Sequence, residues 1–309
     1  MRKLGILSLM VLVMSLTVVT GSYAATIHVP ADYGTITAAI TAASSGDTIL
    51  VAAGTYSEWV WVIKSLTIKG HSAADTFVKA PTSSSSVFWI SANNVTLSGF
   101  NISGATDSGY AGIVISPWFF SWVNYNNITV QKCTVEHNSG GIVVYRSSNV
   151  KIMNNIVRNT IMRSTDTDEQ GVGIAVLSDN TFSVTNTTIS GNSIYDNDWW
   201  GIMVGRTLAT GAGTPNFSGL VIKSNSIYNN GSLDLSGGLG DVNWNGLGFY
   251  NCSGPITLTS NKILETDGGF FQMFTIGVAA GQITGTGNKV YHNLKPAKLT
   301  GPNEPLPGY

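Results

Sequence analysis

The chain has 309 residues, only 11% of them charged, with a formal net charge of −1. So even a balance leaves no electrostatic footprint for nucleic acid, which is excluded as an expected partner. Glycine is abundant, and Asn, Ser and Thr are dense throughout, a mixture that suits many short strands joined by tight turns.

The N-terminus reads as an export signal. Arg2 and Lys3 give a positive start, Leu4 to Val19 form an apolar stretch, and Ser22-Tyr23-Ala24 places small residues where a signal peptidase inspects. Residues 1–24 are therefore expected to be removed after Ala24. The alternative is a membrane anchor, against which the shortness of the apolar run weighs. No later stretch is apolar enough to span a bilayer as a helix. A soluble, monomeric mature protein is expected, either secreted, periplasmic or at the cell surface.

Ile36, Ala39, Ile40 and Ala43 recur at helical spacing, and Gly46 stands ready to stop that helix. This short helix is expected to plug one end of the structure, with Thr48-Ile49-Leu50-Val51 as the first strand.

From there a repeat takes over. Gly112-Ile113-Val114-Ile115 recurs as Gly141-Ile142-Val143-Val144, Gly173-Ile174-Ala175-Val176 and Gly201-Ile202-Met203-Val204, mostly at steps of about thirty residues. Gly246-Leu247-Gly248-Phe249 and Thr275-Ile276-Gly277-Val278 continue it. Each unit leads to an apolar pair, then Asn, then another apolar residue: Ile152, Asn155 and Val157; Ile222, Asn225 and Ile227; Leu258, Asn261 and Ile263. Asn155, Asn192, Asn225, Asn261 and Asn288 thus form one column, with Cys133 and Phe100 in that slot earlier. Three short strands per turn, each with apolar members alternating inward, account for the spacing. Asn suits a corner because it tolerates left-handed backbone and its amide can bond the copy above.

The reading is an all-β solenoid, a right-handed parallel β-helix of about eight coils over residues 25–294, with a short N-terminal capping helix. Residues 295–309 form an irregular tail. Cys133 and Cys252 fall several turns apart at different corners, so no disulfide is expected between them. Glu136 and Arg158 are expected to pair across turns, with Tyr195, Tyr228 and Tyr291 stacking in the same column. His137 and His292 share a column about five turns apart, roughly 24 Å, too far to hold one ion. A broken threonine row at Thr96, Thr129, Thr188 and Thr257 is explained by strand propensity.

The opening His28-Val29-Pro30, Gly46-Asp47-Thr48-Ile49 and Gly54-Thr55-Tyr56-Ser57-Glu58 resembles the start of many pectin/pectate-lyase-superfamily proteins, and the Asn-x-Ile and Gly-Ile-x-Val units resemble the generic β-helix repeat. The resemblance covers nearly all of the mature chain and implies the fold. It does not imply one activity, because lyases, hydrolases, esterases, epimerases and non-catalytic proteins share the scaffold. The family's catalytic signatures are absent. Ser116 precedes Pro117-Trp118 where pectinesterases carry Arg-Pro-Trp; Gly70-His71-Ser72 is the nearest match to the polygalacturonase Gly-His-Gly; and Trp89-Ile90 runs into Ser91-Ala92 where pectate lyases have Asp-His.

The resemblance implies that the Gly-Ile-x-Val sheet bears any substrate groove. Its outward positions are Val114, Val143, Ala175, Met203, Gly248 and Gly277, a smooth apolar wall without a proton donor or metal ligand. Chemistry is therefore expected from the bordering loops. Arg163, Asp166, Asp168, Glu169, Asp196 and Asp198 lie on the entering side with Trp199, Trp200 and Trp244; Tyr145, Arg146, Arg206 and Tyr250 lie on the leaving side. Asp166, Asp196 and Arg206 are the candidate catalytic groups, since carboxylates and arginines can move or stabilise a proton beside a uronate. Tyr145, Arg146, Trp199, Trp200, Trp244 and Tyr250 are candidate substrate contacts through stacking and hydrogen bonds. Asp168, Glu169 and Asp198 are candidate oxygen ligands for Ca²⁺, the one cofactor these loops suggest. A solvated acidic hairpin and loop packing by the tryptophans are the plainer alternatives. The expected partner is an extracellular or cell-wall polysaccharide, bound without catalysis. A divergent polysaccharide lyase or glycoside hydrolase acting on uronic-acid glycans is the alternative.

Overall fold

The computed structural model describes residues 24–116, 123–162, 170–179, 182–206, 214–231, 244–250, 252–265, 271–276, 283–292 and 295–296. Each turn of chain passes through three short strands, beginning with Thr48–Val51, Gly54–Ser57 and Val60–Val62. Successive turns stack these into sheet 1 (ten strands), sheet 2 (ten) and sheet 3 (eight), so the chain is a parallel β-helix. The last strand, Lys295–Pro296, pairs antiparallel with Tyr291–His292; the rest of the tail lies outside the described residues.

The repeat works by register. In sheet 1, Ile49, Ile68, Leu97, Val130, Ile152, Ile189, Ile222 and Leu258 are Cα partners in sequence, and none is more than 2% exposed. Burying each such side chain contributes about 1.5–3 kcal/mol. Equivalent columns from sheets 2 and 3 complete one continuous core along the axis. The glycine opening each Gly-Ile-x-Val unit has a steric cause, since a Cβ on Gly141 would collide with the carbonyl oxygen of Gly173 in the next turn.

The asparagine column is a hydrogen-bonded ladder. Asn155, Asn192, Asn225, Asn261 and Asn288 are all buried, and each Oδ1 accepts the backbone N–H of the turn before it at 2.9–3.1 Å. One expectation is corrected here. The left-handed backbone falls on the residue before the ladder, Asn154, Gly191, Ser224, Ser260 and Gly287, because the ladder residue must point its amide inward. A second ladder, not anticipated, runs through Asn138, Asn197 and Asn230 at the corner after sheet 2, where Asn230 Oδ1 accepts from Asn197 Nδ2 at 2.7 Å. Thr160 takes its slot in one turn, and its N–H donates to Asn197 Oδ1.

The expected plug is helix α1, Ile36–Ala42, burying Ile36, Ala39 and Ile40. Thr35 caps its start, accepting from Ala38 N. Gly46 is not its stop. The helix ends at Ala43, and the Lys64 ammonium donates to the carbonyls of Ile40, Thr41 and Ala43 at 2.7–3.0 Å; Gly46 turns the chain further on.

Another correction concerns the last described rung of sheet 3. Leu247 pairs with Met273, not Ile276. The run from Phe270 to Phe274 offers an apolar frame three residues earlier, and alternation alone cannot choose between frames. Cys133 and Cys252 are both buried and form no disulfide. Among the described residues, no helix is long and apolar enough to cross a membrane.

Candidate functional site

The outward column of sheet 3 runs Trp61, Trp89, Val114, Val143, Ala175, Met203, Gly248 in continuous register. It is apolar, as the sequence implies. It is not an open wall, however: from Trp89 to Met203 these residues are 1–8% exposed. They form a second apolar cluster with Val172, Leu177 and Trp200, against which Tyr145 and Trp199 pack. A bare apolar strip of that length would be unfavourable in water, so burial of a second layer is the expected physical outcome. Only the first rung, Trp61, stays substantially exposed.

At the leaving border, strand Gly140–Tyr145 ends on Tyr145, and Arg146 turns the chain with φ of 50°. One turn later, Asp179 follows strand Ile174–Ser178 directly. The Tyr145 hydroxyl donates to Asp179 Oδ2 at 2.9 Å, and Arg146 Nε lies 3.5 Å from the same oxygen, with both charged side chains about nine-tenths buried. Burial first, then the hydrogen bond to Asp179, pushes the Tyr145 phenol up to about 12. Tyr145 is thus held neutral, and the Asp179 carboxylate is shared between a phenol and a guanidinium. Arg206 pairs with Ser178 and Tyr250 with Gly205 in the following turns, so the structure brings the backbones of Tyr145, Arg146, Arg206 and Tyr250 to one border. The side chains of Arg206 and Tyr250 lie outside the described residues. Asp179 was missed by the sequence reading. Its signal was available, because it is the one carboxylate in the turn that follows any of the Gly-Ile-x-Val strands.

The entering border is organised differently. Asp196 is exposed at a left-handed corner, φ 53°. Asp198 Oδ2 accepts from the backbone N–H of Met162 at 2.9 Å. Trp199 and Trp200 meet edge to face, centroids 5.9 Å apart. Trp200 is 3% exposed, and a Cβ on Gly248 would fall inside its indole, so its ring face is spent on the sheet. Trp199 is partly exposed; its indole N–H is buried without a hydrogen-bond partner among the described residues. Trp244 opens strand Trp244–Tyr250, its side chain outside the described residues, as are Arg163, Asp166, Asp168 and Glu169 altogether.

Asp166 lies outside the described residues, and Asp196 and Arg206 stand on opposite borders of a five-residue strand, Ile202–Arg206, roughly 13 Å across. Of the Ca²⁺ candidates only Asp198 is described, and among the described residues no three His, Cys, Asp or Glu side chains gather to hold a metal.

Two solved structures show the same fold. A structure of alginate lyase from Paenibacillus sp. str. FPU-7 superimposes with a TM-score of 0.59 at 14% identity, covering 92% of this chain and 97% of that one. The pectate lyase Pel9A structure gives 0.58 at 12% identity, covering 90% and 79%. No curated protein matches the chain. The family model described as "Right handed beta helix region" matches residues 19–194, more than half the sequence, and the chain belongs to that family.

Proposed function

We propose that this is a secreted β-helix protein that binds an extracellular or cell-wall polysaccharide along the borders of sheet 3 without transforming it. The observation that carries the reading is the polar rim of Tyr145, Arg146 and Asp179, fixed at the edge of an apolar cluster against which Trp199 packs. Sugars ask for both surfaces: hydroxyls for fixed polar groups, and apolar C–H faces for aromatic rings. The rim itself supplies no general base at neutral pH, since burial and the Asp179 bond push the Tyr145 phenol up to about 12 and Asp179 is already bonded to it. The likeness in fold to structures named alginate lyase and pectate lyase supports polysaccharide as the ligand class.

Affinity electrophoresis through gels containing alginate or pectate tests this. Retardation of the wild type is expected, weakened about tenfold in apparent affinity by Trp199→Ala or Arg206→Ala, as loss of one stacking or charged contact would give. Equal retardation of both variants would remove the border as the site. The likeness to the two lyases also keeps the second reading in view, a divergent lyase using Asp166, Asp196 and Arg206 with Ca²⁺ on Asp168, Glu169 and Asp198. Ultraviolet absorbance from unsaturated products, with or without calcium, would replace binding by catalysis.

A further inference from the structure

The first strand of sheet 3 carries an exposed aromatic pair that the borders do not use. Along residues 59–63 the side chains alternate. Val60 and Val62 are fully buried in the core, while Trp59, Trp61 and Ile63 face outward at 45%, 36% and 53% exposure. These three are half of the large apolar side chains exposed among the described residues, gathered on strand Val60–Val62 and the residue at each of its ends. The two indoles lie parallel within 6°, ring centroids 6.1 Å apart. Trp89, in register with Trp61 on the next strand, is held by its indole N–H donating to the Ser116 carbonyl at 3.2 Å.

The strand is fixed at both ends by α1. Glu58 accepts from the N–H groups of Ile36 and Thr37, each at 2.9 Å, and Lys64 donates to the last helix carbonyls. Those bonds do two things. They preorganise the indoles, so little ordering cost falls on a ligand. They also turn both flanking charges, Glu58 and Lys64, toward the helix.

We propose that Trp59, Trp61 and Ile63 form a docking platform for a neutral hexopyranose polysaccharide. A pyranose presents flat C–H faces that stack on indoles, and a polymer repeats that face along its length, as the two parallel rings repeat theirs. A polyuronate would ask for a cation at the platform, and Lys64 is committed to three carbonyls. A second copy of the chain is a poorer occupant. The three side chains expose on the order of 300 Å², well under the ~800 Å² per partner of a stable interface. The inference shares a ligand class with the proposed function but none of its residues.

The mature chain should be retarded in gels containing hydroxyethyl cellulose or galactomannan. Trp59→Ala and Trp61→Ala should each weaken apparent affinity about tenfold, while Trp59→Phe, Trp61→Phe and Trp199→Ala retain most of it. Tryptophan emission of the wild type should shift to the blue as either neutral polymer is added. A W59A/W61A double variant retarded like the wild type would overturn the platform. So would a wild type that responds only to alginate or polygalacturonate, or a dimer in sedimentation that the double variant dissolves. Alginate binding that is absent, or that Trp199→Ala leaves unchanged, with neutral-polymer binding intact would defeat the border site alone.

Discussion

Asn225 shows how one side chain joins three turns. Its Oδ1 accepts the N–H and the Nδ2 of Asn192 at 3.0 and 2.9 Å, its Nδ2 donates to the Ile189 carbonyl and to Asn261 Oδ1, and its own N–H donates to Asn261 Oδ1. All of this is buried, where an unmade hydrogen bond costs most. Asn225→Ala should therefore lower stability by about 2–4 kcal/mol, through the stranded Asn192 donors and Ile189 carbonyl. Urea denaturation with an unchanged slope reads this directly, and a midpoint within error of the wild type would mean the ladder is not cooperative. The chain spacing disclosed this column; the ladder at Asn138, Asn197 and Asn230 escaped because Thr160 breaks its run.

At the scale of elements, the helix cap and the surface of sheet 2 were both readable. The α1 plug sits where the apolar spacing placed it, but its terminator did not come from the nearest glycine. It came from Lys64, on the far side of an intervening turn. Lys64→Met should free three carbonyls at the helix C-terminus and cost about 1–3 kcal/mol. Amide hydrogen exchange should accelerate first in residues 36–43, with the middle turns unaffected. Uniform loss of protection along the whole coil would show that the end is not a separate cooperative unit. On sheet 2, Glu136 and Arg158 pair as expected, at 2.6–2.7 Å, and Arg158 also donates to Tyr195, whose ring stacks on Tyr228 at 4.7 Å. Tyr291 is in register with Leu264, which separates it from Tyr228 by one rung.

The whole molecule is a stack whose stability should fall at both ends of the pH scale. Burial raises Glu136, but hydrogen bonds from Asn101 and Arg158 and the Arg158 charge outweigh it, holding the carboxyl below 4.5. Its contribution is present above 4.5 and is lost as pH falls through the lower, folded value. At the alkaline end, burial pushes the Cys133 thiol from 9.0 to about 12, and burial with the Asp179 bond takes Tyr145 from 10.0 to about 12. Unfolded chains lose those protons first, so stability should decline from pH 9 toward 12. Cys133→Ala should flatten that descent and Glu136→Gln the acid one, measured as unfolding midpoint against pH. Slopes identical to the wild type would assign the titrations elsewhere.

Periodicity by itself determined the β-helix, its inward columns, the first asparagine ladder and the Glu136–Arg158 pair, because a coil brings residues one repeat apart into contact and local alternation decides which face is buried. Only the tertiary structure decided what happens outside the coil. Whether an outward apolar residue meets water depends on side chains from other turns, and no spacing rule reports them. That is why Trp200 was read as a sugar-facing ring and is packed on Gly248, why Asp179 was passed over beside Arg146, and why Trp59 and Trp61 drew no notice. They are exposed on the first rung of sheet 3, which has a neighbouring strand on one side only.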